Sequence, residues 1–385
     1  MQELAETLRE RSHKVFVATS YPGHNLAEGT QECRFKAVTD ESGIQVLRIR
    51  TMPAHMVGYL LRGISQLVLP YVFFFRIKQL IQEKIDVVIV YSPPLPLAIA
   101  GKKVKDFFGA RYILNIQDLF PQNAIDLGIL KNRALIKFFE NMEADAYAAA
   151  DDLVVHSESN RRFLLERKRV ELGKVNVIHN WIDTEPFRRA TRTGRFRKLY
   201  GIEDSFVILF AGVLGPSQGL ELIIDIASRL TNFPGICFLL VGDGMEKEKL
   251  MQMAANAGAT NVVFKPFVSK EDYPELVKDA DIGLVCLSCS NKTPVVPGKI
   301  LGYMAASIPV AAFLNRESDG HDVIRDAQCG FSSVSDDAAS AAEIIVKMYN
   351  DKELGRYGKN GFRYVNNNLD KEICIRNLES LFQGK

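Results

Sequence analysis

The alternation of short apolar runs with helical stretches is the feature that most constrains this fold. Runs such as VILFAG near residue 207 and CFLLVG near residue 237 are continuously apolar, as expected for strands covered on both faces. Strands separated by helical segments predict parallel sheets with right-handed crossovers. Because 385 residues exceed the usual size of one hydrophobic core, we expect two domains. The predicted fold class is therefore α/β, with two Rossmann-like, doubly wound domains facing across a cleft.

The predicted strands are spread over both halves of the chain. They cover residues 15–19, 45–49, 87–91, 111–116, 153–155, 175–178, 207–210, 237–241, 262–264, 282–287 and 310–313. A polar, basic stretch near residue 184 marks the break between the halves. The predicted segments are an N-terminal domain over 1–183, a C-terminal domain over 184–365, and a C-terminal helix over 366–385 that returns to the first domain. Ligands of such folds bind at the carboxyl ends of the strands.

Composition excludes several classes of protein. A net charge of +2 does not suit a polyanion binder, so no nucleic-acid partner is expected. The six cysteines lack any framework spacing, which is typical of reduced thiols in a cytoplasmic protein. Cys286 and Cys289 form one C-x-x-C, for which a zinc or redox role is the alternative to two strand-end thiols. The most apolar run, 67–75, is far shorter than the ~20 residues that a spanning helix needs. The N-terminus begins as an amphipathic helix and does not resemble a signal peptide.

Glycines at the ends of two predicted strands indicate a phosphate site. In VILFAGVLGPSQGLELIIDIASRL, a buried strand is followed by Gly212, Gly215 and Gly219 and then by a helix. Glycines permit close backbone approach, and the amides at a helix start attract phosphate oxygens. Gly242 ends the next predicted strand in the same way. An ordinary βα loop is the alternative interpretation.

A lysine in the first turn of a later helix supports the same interpretation. Lys299 follows a proline-rich loop in NKTPVVPGKILGYMAASIP. A cation there opposes the helix dipole, which is unfavourable unless an anion lies nearby. We therefore expect Lys299 to pair with phosphate, with simple solvation as the alternative.

Together these motifs resemble the donor-binding half of glycosyltransferase family 4. The motifs are GVLG-x-x-QGL, VGDG, ADIGLVCL and P-x-K-x-L-x-Y-M-A, in that order, and the similarity extends over nearly the whole chain. The pattern is most similar to the branch that acts on lipid-linked polysaccharide intermediates. The resemblance implies the GT-B fold and a retaining, hexosyltransferase-type enzyme. Such an enzyme moves a sugar from a nucleoside diphosphate donor to a glycan or lipid-linked acceptor in polysaccharide biosynthesis.

The resemblance also implies the site residues. Asp118, in a "D-L-x-P" loop of the first domain, would face the sugar, and Lys299 would neutralise the diphosphate; for Asp118 a turn or cap carboxylate is the alternative. The expected donor-binding residues are Gly215, Gln218, Gly219, Gly242, Phe267, Val268, Val295 and Val296. No metal and no cofactor besides the donor sugar nucleotide are implied, since no Asp-x-Asp pair lies in a donor loop.

Three departures from the family pattern support a second hypothesis. The family's N-terminal strand and glycine-rich loop are missing before Met1, so the first domain's sheet is expected to lack a central strand. The two glutamates of the family motif fall at Pro294 and Gly302, and the second usually holds the ribose; the usual glycine after Y-M-A-A is Ser307. The alternative is therefore a truncated, catalytically impaired nucleotide-sugar-binding remnant. A hexosamine 2-epimerase is a weaker rival, because it needs a histidine-rich cleft and the chain has six histidines.

Two segments bear on membrane contact. Residues 55–80 mix Phe, Tyr and Leu with Arg62, Arg76 and Lys78, and resemble the interfacial region through which such enzymes reach lipid-linked acceptors. A core helix is the alternative. The basic stretch 188–198 could face anionic lipid, but a solvated linker is preferred. The expected location is cytoplasmic, at the inner face of the plasma membrane, with a peripheral membrane contact.

Overall fold

The computed structural model describes residues 1–21, 35–51 and 59–383, without the side chains of residues 59–64. This part of the chain divides into two compact units. Unit 1 comprises Met1–Pro121, Lys131–Ile178 and Ile375–Lys385, and unit 2 comprises Gln122–Leu130 and His179–Cys374. The division therefore follows Ile178 and not residue 183, and residues 366–374 lie in unit 2.

The helices and strands have the following bounds. The helices are α1 Gln2–Glu10, α2 Tyr59–Leu80, α3 Leu97–Phe108, α4 Gln122–Asp126, α5 Arg133–Ala149, α6 Glu158–Arg167, α7 Glu185–Arg189, α8 Arg195–Tyr200, α9 Glu221–Arg229, α10 Lys247–Asn256, α11 Tyr273–Lys278, α12 Gly298–Ala305, α13 Gly320–Ala327, α14 Ala338–Tyr349, α15 Gly355–Asn368 and α16 Lys371–Glu379. The strands are β1 Phe16–Ser20, β2 Val38–Glu41, β3 Ile44–Ile49, β4 Val87–Ser92, β5 Arg111–Ile116, β6 Asp152–Val155, β7 Val175–Val177, β8 Phe206–Ala211, β9 Ile236–Val241, β10 Val262–Lys265, β11 Ile282–Cys286, β12 Val310–Leu314 and β13 Gly330–Val334.

The described strands of unit 1 form two separate sheets, and we call this pair of sheets the split sheet. One has the order β1-β3-β2 and the other the parallel order β4-β5-β6-β7. The inner strands β5 and β6 are almost wholly buried, whereas β1 and β4 are apolar but only half-buried. No hydrogen bonds join β1 to β4 within the part of the chain that the structure describes. Within the described residues, β1 and β4 are therefore each the last strand of their sheet.

Unit 2 contains one parallel six-stranded sheet, in the order β10-β9-β8-β11-β12-β13. Apolar clusters cover both of its faces, which explains why β9 and β11 consist of continuously apolar residues. From β8 the chain builds outward to β9 and β10 on one side, and then continues from β11 to β13 on the other. The strand order reverses between β8 and β11, which is where doubly wound sheets bind ligands.

The basic stretch 188–198 is not the solvated, weakly structured linker that the sequence predicts. It contributes to α7 and α8, and Arg192, Arg195 and Arg197 pair with carboxylates of unit 2. Arg197 is 13% exposed and donates to Asp281 at 2.5 Å, and Arg195 donates to Asp272 at 2.8 Å. Asp279 caps the same segment by accepting from the amides of Gly194 and Phe196. The prediction failed because the acidic partners lie some 80 residues further along the chain.

The segment predicted to contact a membrane is described in part. Its residues 55–58 lie outside the described residues, and the remainder, 59–80, is α2. No helix within the described ranges is long and apolar enough to span a membrane.

Candidate functional site

The predicted phosphate residues of unit 2 lie at the switch point of its sheet. The loop from Gly212 to Gly219 leaves the carboxyl end of β8, and the loop after β11 leads into α12, whose second residue is Lys299. Inside the first loop, residues 216–218 form a 3-10 turn before α9 begins. Two neighbouring strands therefore present a glycine-rich turn, a helix start and a lysine at the same edge.

Lys299 is held inside this edge and not in bulk solvent. Its ammonium donates to Gln218 Oε1 at 2.7 Å and lies 4.8 Å from the ring centroid of Phe210. Loss of hydration by burial lowers the pKa of Lys299 to about 8, and the nearby Cys286 thiol opposes that shift. A buried ammonium with one amide partner leaves donor capacity for an anionic ligand.

Glycine is required where the loops of β8 and β9 approach each other. A Cβ at Gly242 would lie 1.9 Å from the carbonyl oxygen of Gly212, and a Cβ at Gly212 would lie 2.7 Å from Lys299 Cε. Leu214 N donates to Asp243 O at 2.8 Å, which ties the two loops together. The lack of side chains at Gly212 and Gly242 therefore leaves room for Lys299 at the carboxyl end of β8.

The structure brings together some of the predicted donor-binding residues and separates others. Gln218 contacts Lys299, and Gly215 and Gly219 bracket the turn that carries Gln218. Gly219 adopts φ 60°, and a Cβ there would meet the backbone of Ser288 at 2.9 Å.

The remaining predicted residues occupy two other loops. Val295 and Val296 pack against the core beside α12, and Val295 O accepts from Ser318 Oγ at 2.7 Å. Phe267 is 54% exposed, and with Val268 it follows β10, which is separated from β11 by two strands. These two residues therefore lie further along the edge than Lys299.

Asp118 follows β5 in unit 1. Its side chain is exposed, and its carboxylate has no hydrogen-bond or ion-pair partner within the described residues. It therefore does not cap a turn or helix there. The protein atoms around it reduce hydration of the carboxylate, which raises the pKa of Asp118.

A buried polar network beside Asp118 was not predicted from the sequence. His156, after β6, lies 3.0 Å from Asn115 Oδ1 through Nε2 and 2.8 Å from Ile178 O through Nδ1. Gln117 Nε2 donates to the same Asn115 oxygen at 2.8 Å. A histidine directly after a short apolar strand is the only sequence signal for this network. It fixes the carboxyl edge of β5 just before Asp118.

The described residues contain no group of three or more His, Cys, Asp or Glu placed to hold a metal ion. Of the C-x-x-C pair, Cys286 is buried and its thiol donates to Gly219 O at 3.2 Å, whereas Cys289 is exposed. Both are free thiols. The pair therefore belongs to the end of β11 and the loop that follows it.

Two family models match the chain in succession. Residues 1–186 match Glycosyltransferase Family 4, and residues 193–363 match Glycosyl transferases group 1. The chain is 27% identical over 312 residues to the putative colanic acid biosynthesis glycosyl transferase WcaI of Escherichia coli K12. That match covers 79% of this chain and 76% of the relative.

Solved structures share the fold. Sucrose-phosphate synthase from Thermosynechococcus elongatus matches with a TM-score of 0.79 at 15% identity, covering 99% of this chain and 91% of that structure. HepE from Anabaena, solved with UDP and glucose, matches with a TM-score of 0.70 at 16% identity, covering 99% and 94%.

Proposed function

Because the chain is a glycosyltransferase with the GT-B fold, carrying a family 4 domain followed by a group 1 domain, we propose that its donor is a nucleoside diphosphate sugar. The observation that carries this proposal is Lys299, a half-buried lysine at the switch point of unit 2, next to a glycine-rich turn and a helix start. Backbone amides, a helix dipole and a cation together suit a diphosphate. The acceptor is a glycan or a lipid-linked intermediate of polysaccharide biosynthesis.

The same groups account for leaving-group stabilisation. As the bond between the anomeric carbon and the phosphate breaks, negative charge grows on the departing diphosphate. Lys299 and the amides of the Gly215–Gln218 turn stabilise that charge, an electrostatic contribution that is often the largest in such catalysis. Transfer proceeds with retention of configuration, the departing phosphate assisting attack from the same face. The free carboxylate of Asp118 contacts the sugar.

The relatives support the donor and acceptor classes. The relative in E. coli is named for colanic acid biosynthesis, and the HepE structure holds UDP and glucose. Both names agree with a hexosyltransferase that uses a nucleotide donor and builds a polysaccharide. We place this activity at the cytoplasmic face of the plasma membrane.

A surface of unit 1 suits an acceptor in a membrane. Tyr71 and Phe75 on α2 and Phe107 on α3 are exposed, and two lysines lie over the aromatic rings. Lys78 Nζ lies 4.5 Å from the Phe107 centroid and Lys103 Nζ lies 5.1 Å from the Tyr71 centroid. We call these five residues the aromatic–lysine face. Exposed aromatic rings with cations fit an interface with anionic lipid headgroups.

The donor proposal is tested by Lys299→Ala. Removing a charge-assisted contact of about 1.5–3 kcal/mol should weaken nucleoside diphosphate binding by about tenfold or more. Titration calorimetry with UDP, ADP, GDP and CDP measures this, and Lys292→Ala is the matched control, since Lys292 is exposed in the preceding loop. Unchanged affinity in Lys299→Ala would remove the lysine from the site.

The split sheet favours one alternative function. Among the described residues β1 and β4 are half-buried end strands, and the buried hydroxyl of Tyr91 on β4 has no hydrogen-bond partner there. A first domain whose described strands form two separate sheets suits a protein that binds the nucleotide sugar and does not turn it over. An assay of the purified protein for both donor binding and donor hydrolysis separates the two functions. Binding without either transfer or hydrolysis would favour the remnant.

A further inference from the structure

Tyr273 has a hydroxyl that its surroundings leave without a partner. It is the first residue of α11, its side chain is mostly buried, and its ring packs edge-on against Phe187 with centroids 6.1 Å apart. No hydrogen bond joins the hydroxyl to any residue that the structure describes. Burial raises the pKa of Tyr273 to about 12, so the group is a neutral hydroxyl at physiological pH. Such a group can both donate and accept.

Gly302 brings this hydroxyl against the helix that carries Lys299. A Cβ at Gly302 would lie 3.1 Å from the Tyr273 hydroxyl oxygen, so the absence of a side chain makes room for it. Gly302 follows Lys299 by three residues on α12, and residues three apart lie on neighbouring positions of one helix face. The hydroxyl is therefore one helical turn from the phosphate lysine.

On its other side, Tyr273 adjoins the loop that follows β10. Its amide donates to Ser269 O at 3.1 Å, directly after Phe267 and Val268. That loop is where the base of the donor is expected. Tyr273 thus joins the loop where the base is expected, through its amide, to the helix that carries Lys299, through its hydroxyl. In a nucleoside diphosphate the group that joins the base to the diphosphate is the ribose.

We propose that Tyr273 binds a ribose hydroxyl of the donor nucleotide, in the space that Gly302 leaves open. The inference rests on the proposed function, because it requires a nucleoside diphosphate on Lys299. A ligand hydroxyl in that space can exchange a hydrogen bond with the Tyr273 hydroxyl, and a ligand that lacks the group cannot make this bond. Tyr273 is therefore a determinant of ribonucleotide over deoxyribonucleotide selectivity.

Tyr273→Phe tests this inference, because it removes only an oxygen that has no partner in the described protein. UDP, ADP, GDP and CDP are titrated by calorimetry beside their 2′-deoxy and 3′-deoxy forms. The wild type should prefer the ribonucleotide about tenfold over at least one deoxy form. Tyr273→Phe should lose a similar factor for the ribonucleotide and bind both forms equally, with an unchanged melting temperature. Tyr357→Phe, on α15, is the matched control and should keep the preference.

Two results would contradict the ribose assignment, and only one of them would also contradict the proposed function. If the wild type binds a ribonucleotide and Tyr273→Phe keeps the full preference over both deoxy forms, the ribose assignment is wrong and the proposed function stands. If no nucleoside diphosphate binds the wild type, the proposed function falls and the assignment falls with it. Gly302→Ala gives an independent check, because its methyl group would press on the hydroxyl and should reduce the same preference.

Discussion

At the scale of single residues, Lys299 determines what the edge of unit 2 can bind. Its ammonium lies over the Phe210 ring and donates a hydrogen bond to Gln218, so it is less hydrated than the ammonium of a surface lysine. Burial without a carboxylate partner favours the neutral form, whereas a bound diphosphate favours the charged form. Binding of an anion should therefore be accompanied by proton uptake at high pH.

The pKa of about 8 gives this linkage a direction and a pH window. A diphosphate raises the pKa of Lys299 in the complex, so the contribution of Lys299 to affinity is fully present below pH 8 and is lost as pH rises through the pKa of the complex. We expect nucleoside diphosphate affinity to be constant from about pH 7 to 8 and to fall up to about tenfold per pH unit above that. Calorimetry in buffers of different ionisation enthalpy measures both effects. In Lys299→Ala the fall should disappear; if it persists, another group is responsible.

The sequence indicates local features of this edge of unit 2 and not the partners that those features contact. Lys299 and the glycines of the β8 loop follow from helix electrostatics and from backbone approach, which are local properties. The partnership between Tyr273 and Gly302, and the network of Asn115 with His156, join residues tens of positions apart in the chain. The sequence around one residue of each pair does not indicate which distant residue it contacts.

At the scale of elements, the apolar strands were predictable and the polar ones were not. The observed β5 matches its predicted bounds, since a buried parallel strand is a continuous apolar run. The sequence missed β2, whose residues VTDE pair antiparallel with β3 through a two-residue turn at Ser42 and Gly43, both with positive φ. It also missed β13, a partly polar edge strand.

The ion-paired segment around α8 gives a stability prediction. Asp281 accepts from Arg197 at 2.5 Å and from the amide of Val207 at 2.7 Å, so it fastens α8 to the start of β8. Asp281→Ala would remove the carboxylate partner of the Arg197 guanidinium, which keeps the carbonyls of Asp279 and Ser205, and would leave the Val207 amide without its acceptor. It should lower the free energy of unfolding by about 2–4 kcal/mol. Urea denaturation measures this.

The matched control is Asp322→Ala, which removes an exposed partner of Arg325 and should change stability little. Equal effects of the two substitutions would show that the α8 contacts are no stronger than a surface ion pair.

The aromatic–lysine face gives a prediction about α2 and α3. Replacing both Lys78 and Lys103 by Gln removes two positive charges while keeping the aromatic rings. At about 1 kcal/mol per lysine, binding to phosphatidylserine-containing vesicles should weaken roughly thirtyfold. Vesicle sedimentation measures the partition, with phosphatidylcholine vesicles as the uncharged comparison. Lys352→Gln with Lys359→Gln, on exposed positions of unit 2, is the matched pair. Equal weakening by both pairs would indicate a general charge effect and not this face.

At the scale of the whole molecule, the residues proposed for donor binding and those proposed to face the sugar or a membrane lie in different units. Unit 2 contains every predicted donor-binding residue as well as Lys299, and unit 1 contains Asp118 and the aromatic–lysine face. The α/β class and the parallel sheets followed from alternation along the sequence. The assignment of residues 122–130 to unit 2 did not follow from the sequence, because it depends on which residues they contact.

This division predicts which amides a bound nucleotide protects from hydrogen exchange. A nucleoside diphosphate should slow amide hydrogen exchange over residues 212–220 and 295–302, because loops that bind a ligand lose local opening. Residues 133–149 of unit 1 should exchange as in the free protein. Mass spectrometry of proteolytic fragments measures both. Protection spread equally over the two regions would contradict a donor site built by unit 2.

The ion pair between Arg11 and Glu379 has a consequence for synthesis. Glu379 lies 2.6 Å from both Arg11 Nη1 and His13 Nε2, joining residues 368 and 366 positions apart within unit 1. At about 5–20 residues per second, a ribosome needs roughly 20 to 70 seconds to travel that distance. Arg11 and His13 are thus synthesised well before the glutamate that pairs with both of them. The residues of unit 2 extend to Cys374, so all of them are synthesised before Glu379 completes this contact within unit 1.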